Sequence, residues 1–130
     1  MLEIGIAGIV EAEVNDTNTA DTIGSGNLKV FATPCMIALM EQAAAESVLA
    51  HLQEGESSVG ISISVEHLKA TPAGMTVSCE SALVAIDGKR LDFEVSAFDN
   101  AGIIGRGEHS RYIIDIDKFM AKTMAKLEQK

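Results

Sequence analysis

Apolar and polar positions recur with two different periods along this 130-residue chain, and the change of period predicts its elements. Ile4 to Val14 reads as a first strand, weakened by Gly5 and Gly8. Asn15 to Asn27 is a polar connection rich in Thr, Asp, Gly and Ser, and loops of that length are often functional. Leu28 to Ala32 leads into one strong helix, started by Thr33-Pro34: Thr offers an oxygen to free amides, and Pro fits the first helical position. That helix runs through Met36, Leu39, Met40, Ala43-Ala44-Ala45, Val48 and Leu52, and stops near Gly55.

From Ser57 the period becomes two. Val59, Ile61, Ile63, Val65 and His67 share one face of a strand, with Gly60, Ser62, Ser64, Glu66 and Leu68 on the other. Thr71 to Met75 is a turn, Thr76 to Ile86 a second long strand, and Asp87-Gly88 a hairpin signal. Leu91, Phe93, Val95 and Ala97 mark the next strand, and after a turn at Asp99 to Gly102 the last runs from Ile103 to Ile114. From Asp117 the chain reads as a short amphipathic helix that docks on its own domain or on a dimer mate. Phe119, Met120, Met124 and Leu127 lie on one side, with Lys122, Lys126 and Lys130 complementing the C-terminal dipole. The expected class is α+β: a curved antiparallel sheet wrapped around the long helix, residues 1–130 forming one domain.

Composition narrows the partners. A hydrophobic fraction of 47% fits a packed protein, and with 22% charged residues some apolar surface is expected to go into a subunit interface. A net charge of −9 argues against nucleic acid and anionic membranes, and the absence of Trp argues against a base-stacking platform. An anionic ligand such as coenzyme A is then accepted only through a local basic patch. Cys35 and Cys79 form no CxxC pair and read as reduced thiols in a cytoplasmic protein. The N-terminus carries no basic region, and the apolar run to Val10 is too short for a signal or a membrane span.

A few polar residues sit where the pattern calls for apolar ones. On a helical wheel Glu41 falls among Ile37, Ala44, Ala45 and Val48, away from Gln42, Glu46 and Gln53. A carboxylate there is costly to bury unless compensated. It either reaches solvent at the edge of the stripe, pairs with a core arginine, or does chemistry. His67 repeats the anomaly on the apolar face of its strand, as a satisfied core histidine or as the partner of Glu41 in general base chemistry. Thr33 is an N-cap, or holds a thioester carbonyl or phosphate at the positive end of the helix. Cys35, in the same first turn, is a rival nucleophile if the dipole lowers its thiol. The histidines at 51, 67 and 109 lack metal-ligand spacing, His51 instead complementing the helix dipole. No phosphate loop, dinucleotide fingerprint or GxSxG elbow is present.

In order along the chain, Phe31-Ala32-Thr33-Pro34, Leu39-Met40-Glu41, Val59-Gly60, Val65-Glu66-His67 and Ala70-Thr71-Pro72-Ala73-Gly74-Met75 form a set of motifs. Gly88-Lys89-Arg90-Leu91 and Ile104-Gly105-Arg106-Gly107-Glu108-His109-Ser110-Arg111 complete it. Together, over residues 28 to 120, they resemble the fluoroacetyl-CoA thioesterase-like family of hot dog-fold proteins. The resemblance implies a hot dog fold and hydrolysis of a short acyl-CoA thioester. It places the catalytic threonine, glutamate and histidine at Thr33, Glu41 and His67. It also implies that Gly60 lines the acyl pocket and that Arg111 lies near the site. The implied protein needs no metal and no cofactor beyond the coenzyme A of its substrate, and is a dimer or a pair of dimers. The fluoroacetyl-specific members carry aromatic residues before the helix. Here the stretch is Gly24-Ser25-Gly26-Asn27, so a different small acyl group is expected.

In the implied reaction, helix amides or the Gly60 backbone stabilise the oxyanion, Glu41 attacks or activates water, and His67 moves protons. The rivals are a non-catalytic module binding acyl-CoA or another small apolar ligand, and, on a different Asp/His pattern, a hydratase. One tension is geometric: in a helix starting at Pro34, Thr33 and Glu41 stand about 12 Å apart along the axis. They meet only if the helix starts later or if two chains share the site.

Overall fold

A computed structural model describes residues 1–129. Five strands form one antiparallel sheet: β1 (Ala7–Glu13), β2 (Glu56–His67), β3 (Thr76–Asp87), β4 (Arg90–Asp99) and β5 (Gly102–Asp115). Their order is β1-β3-β4-β5-β2. A short helix α1 (Ala20–Ile23) interrupts the first loop, α2 (Thr33–Leu49) is the long helix, and α3 (Ile116–Met124) leads into a 3-10 turn at Ala125–Glu128. The sheet curls around α2, which is the expected hot dog arrangement.

The core follows from the two periods. Met36, Met40, Ala44 and Val48 recur on one stripe of α2 and are buried against Leu83, Leu91, Phe93 and Ile104 from the concave face of the sheet. Each large apolar side chain buried there contributes about 1.5–3 kcal/mol. Gly8, which weakens β1 as a strand, has a packing role: a Cβ there would collide with the Ala43 carbonyl and stand 2.8 Å from the Ser47 Cβ. Small residues on both elements let β1 rest directly on the helix.

Several boundaries differ from the sequence reading. β1 begins at Ala7 rather than Ile4, because Gly5 turns the chain with φ +99°. The polar loop is folded rather than loose: Ala20 donates to the Val30 carbonyl at 2.8 Å, and Phe31 to that of Thr71 at 2.8 Å. α2 ends at Leu49, short of Leu52, because the chain tightens into i→i+3 bonds from His51 to Val48 and Leu52 to Leu49. Thr33 is not the N-cap; Ala32 holds that position without a side-chain bond, and Thr33 is the first helical residue. α3 starts at Ile116, capped by the Asp115 carboxylate, which accepts from the Lys118 amide at 3.0 Å. Lys130, the last of the lysines assigned to the helix dipole, lies outside the described residues.

The largest departure is in β2. The strict alternation from Val59 to His67 is broken by a bulge: Gly60 pairs Arg111 and Ser62 pairs Ser110, so Ile61 is an extra residue. Beyond the bulge Ile63, Val65 and His67 face the helix as expected. Before it the parity inverts, so Gly60 and Ser58 take the inner face, and Ile61 is 48% exposed.

Candidate active site

The residues singled out by sequence gather in two clusters, one at the N-terminus of α2 and one around its middle. The first cluster is at the N-terminus of the helix. With its side chain free of any capping role, Thr33 places Oγ1 2.8 Å from Nδ1 of His67, which closes the end of β2. Phe31 meets the imidazole edge-on, ring centres 6.5 Å apart. Nε2 of His67 is buried without a hydrogen-bond partner among the described residues. Burial, the largest influence on it, lowers the His67 pKa from its ordinary value. A neutral imidazole held by a hydroxyl can therefore accept a proton. Beside it lies a cavity of about 240 Å³, with Ala20 and Ser25 on the α1 side and Phe31 and Leu68 opposite.

The second cluster surrounds Glu41. Arg111, on the inner face of β5, is nearly buried and tightly held: Nε donates to Ser58 Oγ at 2.8 Å, and Nη2 to the Ser58 carbonyl at 2.9 Å. Nη1 lies 3.1 Å from Nε2 of His109, and 3.9 Å from Oε2 of Glu41. Since a guanidinium can only donate, His109 accepts at Nε2 and donates its Nδ1–H to the Ser62 carbonyl at 2.8 Å. That assignment makes His109 neutral, in line with the lowering of its pKa, first by burial and then by Arg111. Gly60 completes the group: a Cβ there would sit 2.7 Å from Oε2 of Glu41 and 3.2 Å from Cε1 of His109. Only glycine lets the backbone of β2 approach the carboxylate this closely.

Glu41 and His67 do not face one another within one chain. The helix rise separates Thr33 from Glu41 by about 12 Å, and Gly60 from His67 is roughly 20 Å along β2. Since α2 begins at Thr33 itself, no later helix start relieves the separation. Glu41 also lies beside the buried stripe rather than in it; its side chain is 43% exposed, against 9% for Arg111.

His109 and Ser58 escaped the sequence reading. His109 shares the parity of Arg111, Gly107 and Gly105 on β5, a run whose other members face inward, and that parity was the available signal. Ser58 was hidden by the bulge. Burial pushes the Cys35 thiol up, not down, which counts against the rival reading of Cys35 as a nucleophile. Cys79 is pushed up to about 12 by burial alone. No group of three or more His, Cys, Asp or Glu among the described residues could hold a metal ion. A larger groove of about 520 Å³ crosses the outer face of the sheet near Glu94 and Glu108, away from both clusters.

A family model described as fluoroacetyl-CoA-specific thioesterase matches residues 14–117. The chain belongs to that family. The fluoroacetyl-CoA thioesterase of Streptantibioticus cattleyicolor is 43% identical over 98 residues, covering 75% of this chain and 70% of that protein. A solved structure of a fluoroacetyl-CoA thioesterase superposes with a TM-score of 0.90 at 34% identity, covering 97% of this chain and 98% of the other. A Thermus thermophilus protein of the thioesterase superfamily superposes with a TM-score of 0.92 at 27% identity, covering 99% and 96%. Family membership makes this protein a hot dog thioesterase, and both clusters lie within the matched span.

Proposed function

We propose that this thioesterase hydrolyses short-chain acyl-CoA at a site composed of Thr33 and His67 from one protomer and Glu41, Gly60 and Arg111 from a second. The observation that carries the reading is the pair of half-sites: a neutral histidine bound to Thr33 beside a cavity, and a half-exposed carboxylate 3.9 Å from a buried arginine. Neither half alone supplies a nucleophile or base, a proton carrier and an acyl pocket. A homodimer is supported by β2, a long edge strand whose outer side pairs with no other strand among the described residues, and by exposed apolar residues such as Ile61 and Leu49. The reading includes a cytoplasmic, single-domain protein with no cofactor beyond its substrate's coenzyme A. No helix among the described residues is long and apolar enough to cross a membrane.

Glu41 attacks the thioester carbonyl, forming a mixed anhydride and releasing the CoA thiolate, which takes a proton. Water then cleaves the anhydride to free acid. In the alternative order Glu41 takes a proton from the water that attacks directly. Backbone amides at Gly60 or the start of α2 receive the developing oxyanion. His67 carries the proton between water and thiolate, Thr33 orients the imidazole, and Arg111 stands 3.9 Å from the Glu41 carboxylate on its inner side. Thiol release measured over a panel of short and medium acyl-CoAs tests the reading. Short chains are expected to turn over, and with no aromatic lid in Gly24-Ser25-Gly26-Asn27, fluoroacetyl-CoA has no advantage over acetyl-CoA. Saturable binding without turnover of any of them would instead identify a non-catalytic acyl-CoA binder.

The pH dependence has a definite sign. Because burial depresses the His67 pKa, the imidazole stays a competent base below its ordinary 6.5, so the acid limb of kcat/KM is expected below pH 6.5. Stability follows the same direction. His67 and His109 both have folded values below their unfolded ones, so their neutral forms favour the fold fully above 6.5. That contribution is lost as pH falls from 6.5 through the folded values. Urea midpoints measured from pH 8 downward should begin to drop near the unfolded value, and a His67→Gln, His109→Gln variant should show a shallower drop. An acid limb above pH 7 would contradict the assignment of His67.

A further inference from the structure

The chain has nineteen acidic residues against ten basic ones, yet Lys89, Lys118 and Lys122 converge on one groove. The groove, about 280 Å³, lies between the β3–β4 hairpin and α3, with Tyr112 and Phe119 in its walls. The fold holds the lysines there by defined contacts. The Ile113 amide donates to the Lys89 carbonyl at 2.9 Å, which pins the hairpin turn against β5. Asp115 caps α3 through the Lys118 amide and so fixes the helix start. Lys118 and Lys122 then fall on one helical face, a spacing at which like charges repel.

None of the groove lysines has a carboxylate oxygen within 4.0 Å among the described residues. Asp115, the one carboxylate in the lining, is engaged as the cap. Mutual repulsion without compensation stabilises nothing in the fold; it does create a site for a multiply charged anion in an otherwise acidic protein. Tyr112 and Phe119 are both partly exposed, 43% and 37%, and give a purine ring a surface for stacking. The groove adjoins β5, the strand that carries Arg111, and Asp115 at the foot of α3 is about 13 Å of extended strand from that arginine.

We propose that the groove formed by Lys89, Lys118 and Lys122 with Tyr112 and Phe119 binds the phosphate-bearing nucleotide end of the CoA thioester. The proposal rests on the thioesterase reading above and gives the chain the local basic patch that an acidic protein needs for such a substrate. Recognition is electrostatic, so it is expressed in KM and weakens with salt.

The test compares one acyl group carried on coenzyme A and on pantetheine, in the native protein and in a Lys89→Ala, Lys118→Ala, Lys122→Ala variant. All three positions are exposed, and far-ultraviolet circular dichroism checks that the variant is folded. The ratio of kcat/KM for the CoA thioester over the pantetheine thioester is expected to fall about tenfold, through KM. Added salt should lower the native ratio towards that of the variant. An unchanged ratio overturns the proposal. If the native protein cleaves neither thioester, the hydrolytic reading fails on its own. Calorimetric binding of 3′,5′-ADP then decides the groove: loss in the variant supports it, equal affinity overturns it. Retention of phosphatidylserine vesicles by the native protein alone, with an unchanged CoA ratio, assigns the patch to a membrane and also overturns it.

Discussion

Glu41→Gln is expected to lower kcat for short acyl-CoA by about 10²- to 10⁴-fold, the range over which a positioned acid–base group contributes. A direct nucleophile falls at the upper end. The substitution keeps shape and hydrogen-bonding capacity and removes only the charge. Arg111 then loses a distant partner at 3.9 Å but keeps Ser58 and His109. With Glu41 43% exposed, the cost in stability is expected to be within about 1 kcal/mol, the scale of exposed ion pairs. Thiol release and a urea midpoint on the same preparation separate chemistry from folding. Turnover within a few-fold of the native protein would remove Glu41 from the mechanism; a large fall in both quantities would make it a structural partner of Arg111. Gly60 bears on the same step, since its backbone stands where a Cβ would crowd the carboxylate.

The parts of the fold legible in sequence are those set by long, uninterrupted periodicity. The stripe Met36, Met40, Ala44 and Val48 announces α2, and the alternation around Asp87-Gly88 announces the β3–β4 hairpin, because each repeats the same burial over many residues. What was not legible depends on single residues that interrupt a period. The extra residue in β2 inverts parity on one side of the bulge. The apolar pattern through Val59, Ile61 and Ile63 therefore looked continuous while the strand turned Gly60 and Ser58 inward. Nothing in local composition separates a bulged isoleucine from a buried one. Thr33 misled for a different reason: a threonine before proline has the chemistry of an N-cap, and only the approach of His67, distant in sequence, gives its hydroxyl another partner. α1 was missed because four residues carry no period at all.

The candidate site shows the same division between local and long-range information. Glu41 and His67 stood out as polar misfits, and both do sit among functional-looking neighbours, but the misfits did not reveal that each has its own companions. His109 is the clearest omission. Its role follows from hydrogen-bond chemistry: Arg111 has donors only, so the histidine beside it must accept at Nε2 and hand its remaining proton to Ser62. That chain locks the orientation of Arg111 without adding a charge. A neutral histidine is the suitable residue there, since a second cation would compete for Glu41.

Mixing two inactive variants is expected to restore activity. In His67→Ala the proton carrier is lost, and in Glu41→Gln the carboxylate is lost. If each site draws Thr33 and His67 from one protomer and Glu41 from the other, a mixed dimer contains one intact site and one doubly defective site. After free exchange of equal amounts, half of the dimers are mixed and each has half its sites, so about one quarter of native activity should return. Subunits exchanged by mild denaturation and refolding, then assayed for thiol release, provide the measurement; each variant refolded alone is the control. The geometry makes the outcome sharp. The helix rise and the length of β2 set His67 and Glu41 too far apart to share a proton within one chain, and both residues sit on regular elements rather than on loops. Recovery near one quarter would tie the chemistry to the dimer and explain the selection of an exposed carboxylate on α2. No recovery, with exchange verified by a tagged protomer, would mean that one cluster alone performs the hydrolysis and the other is scaffold.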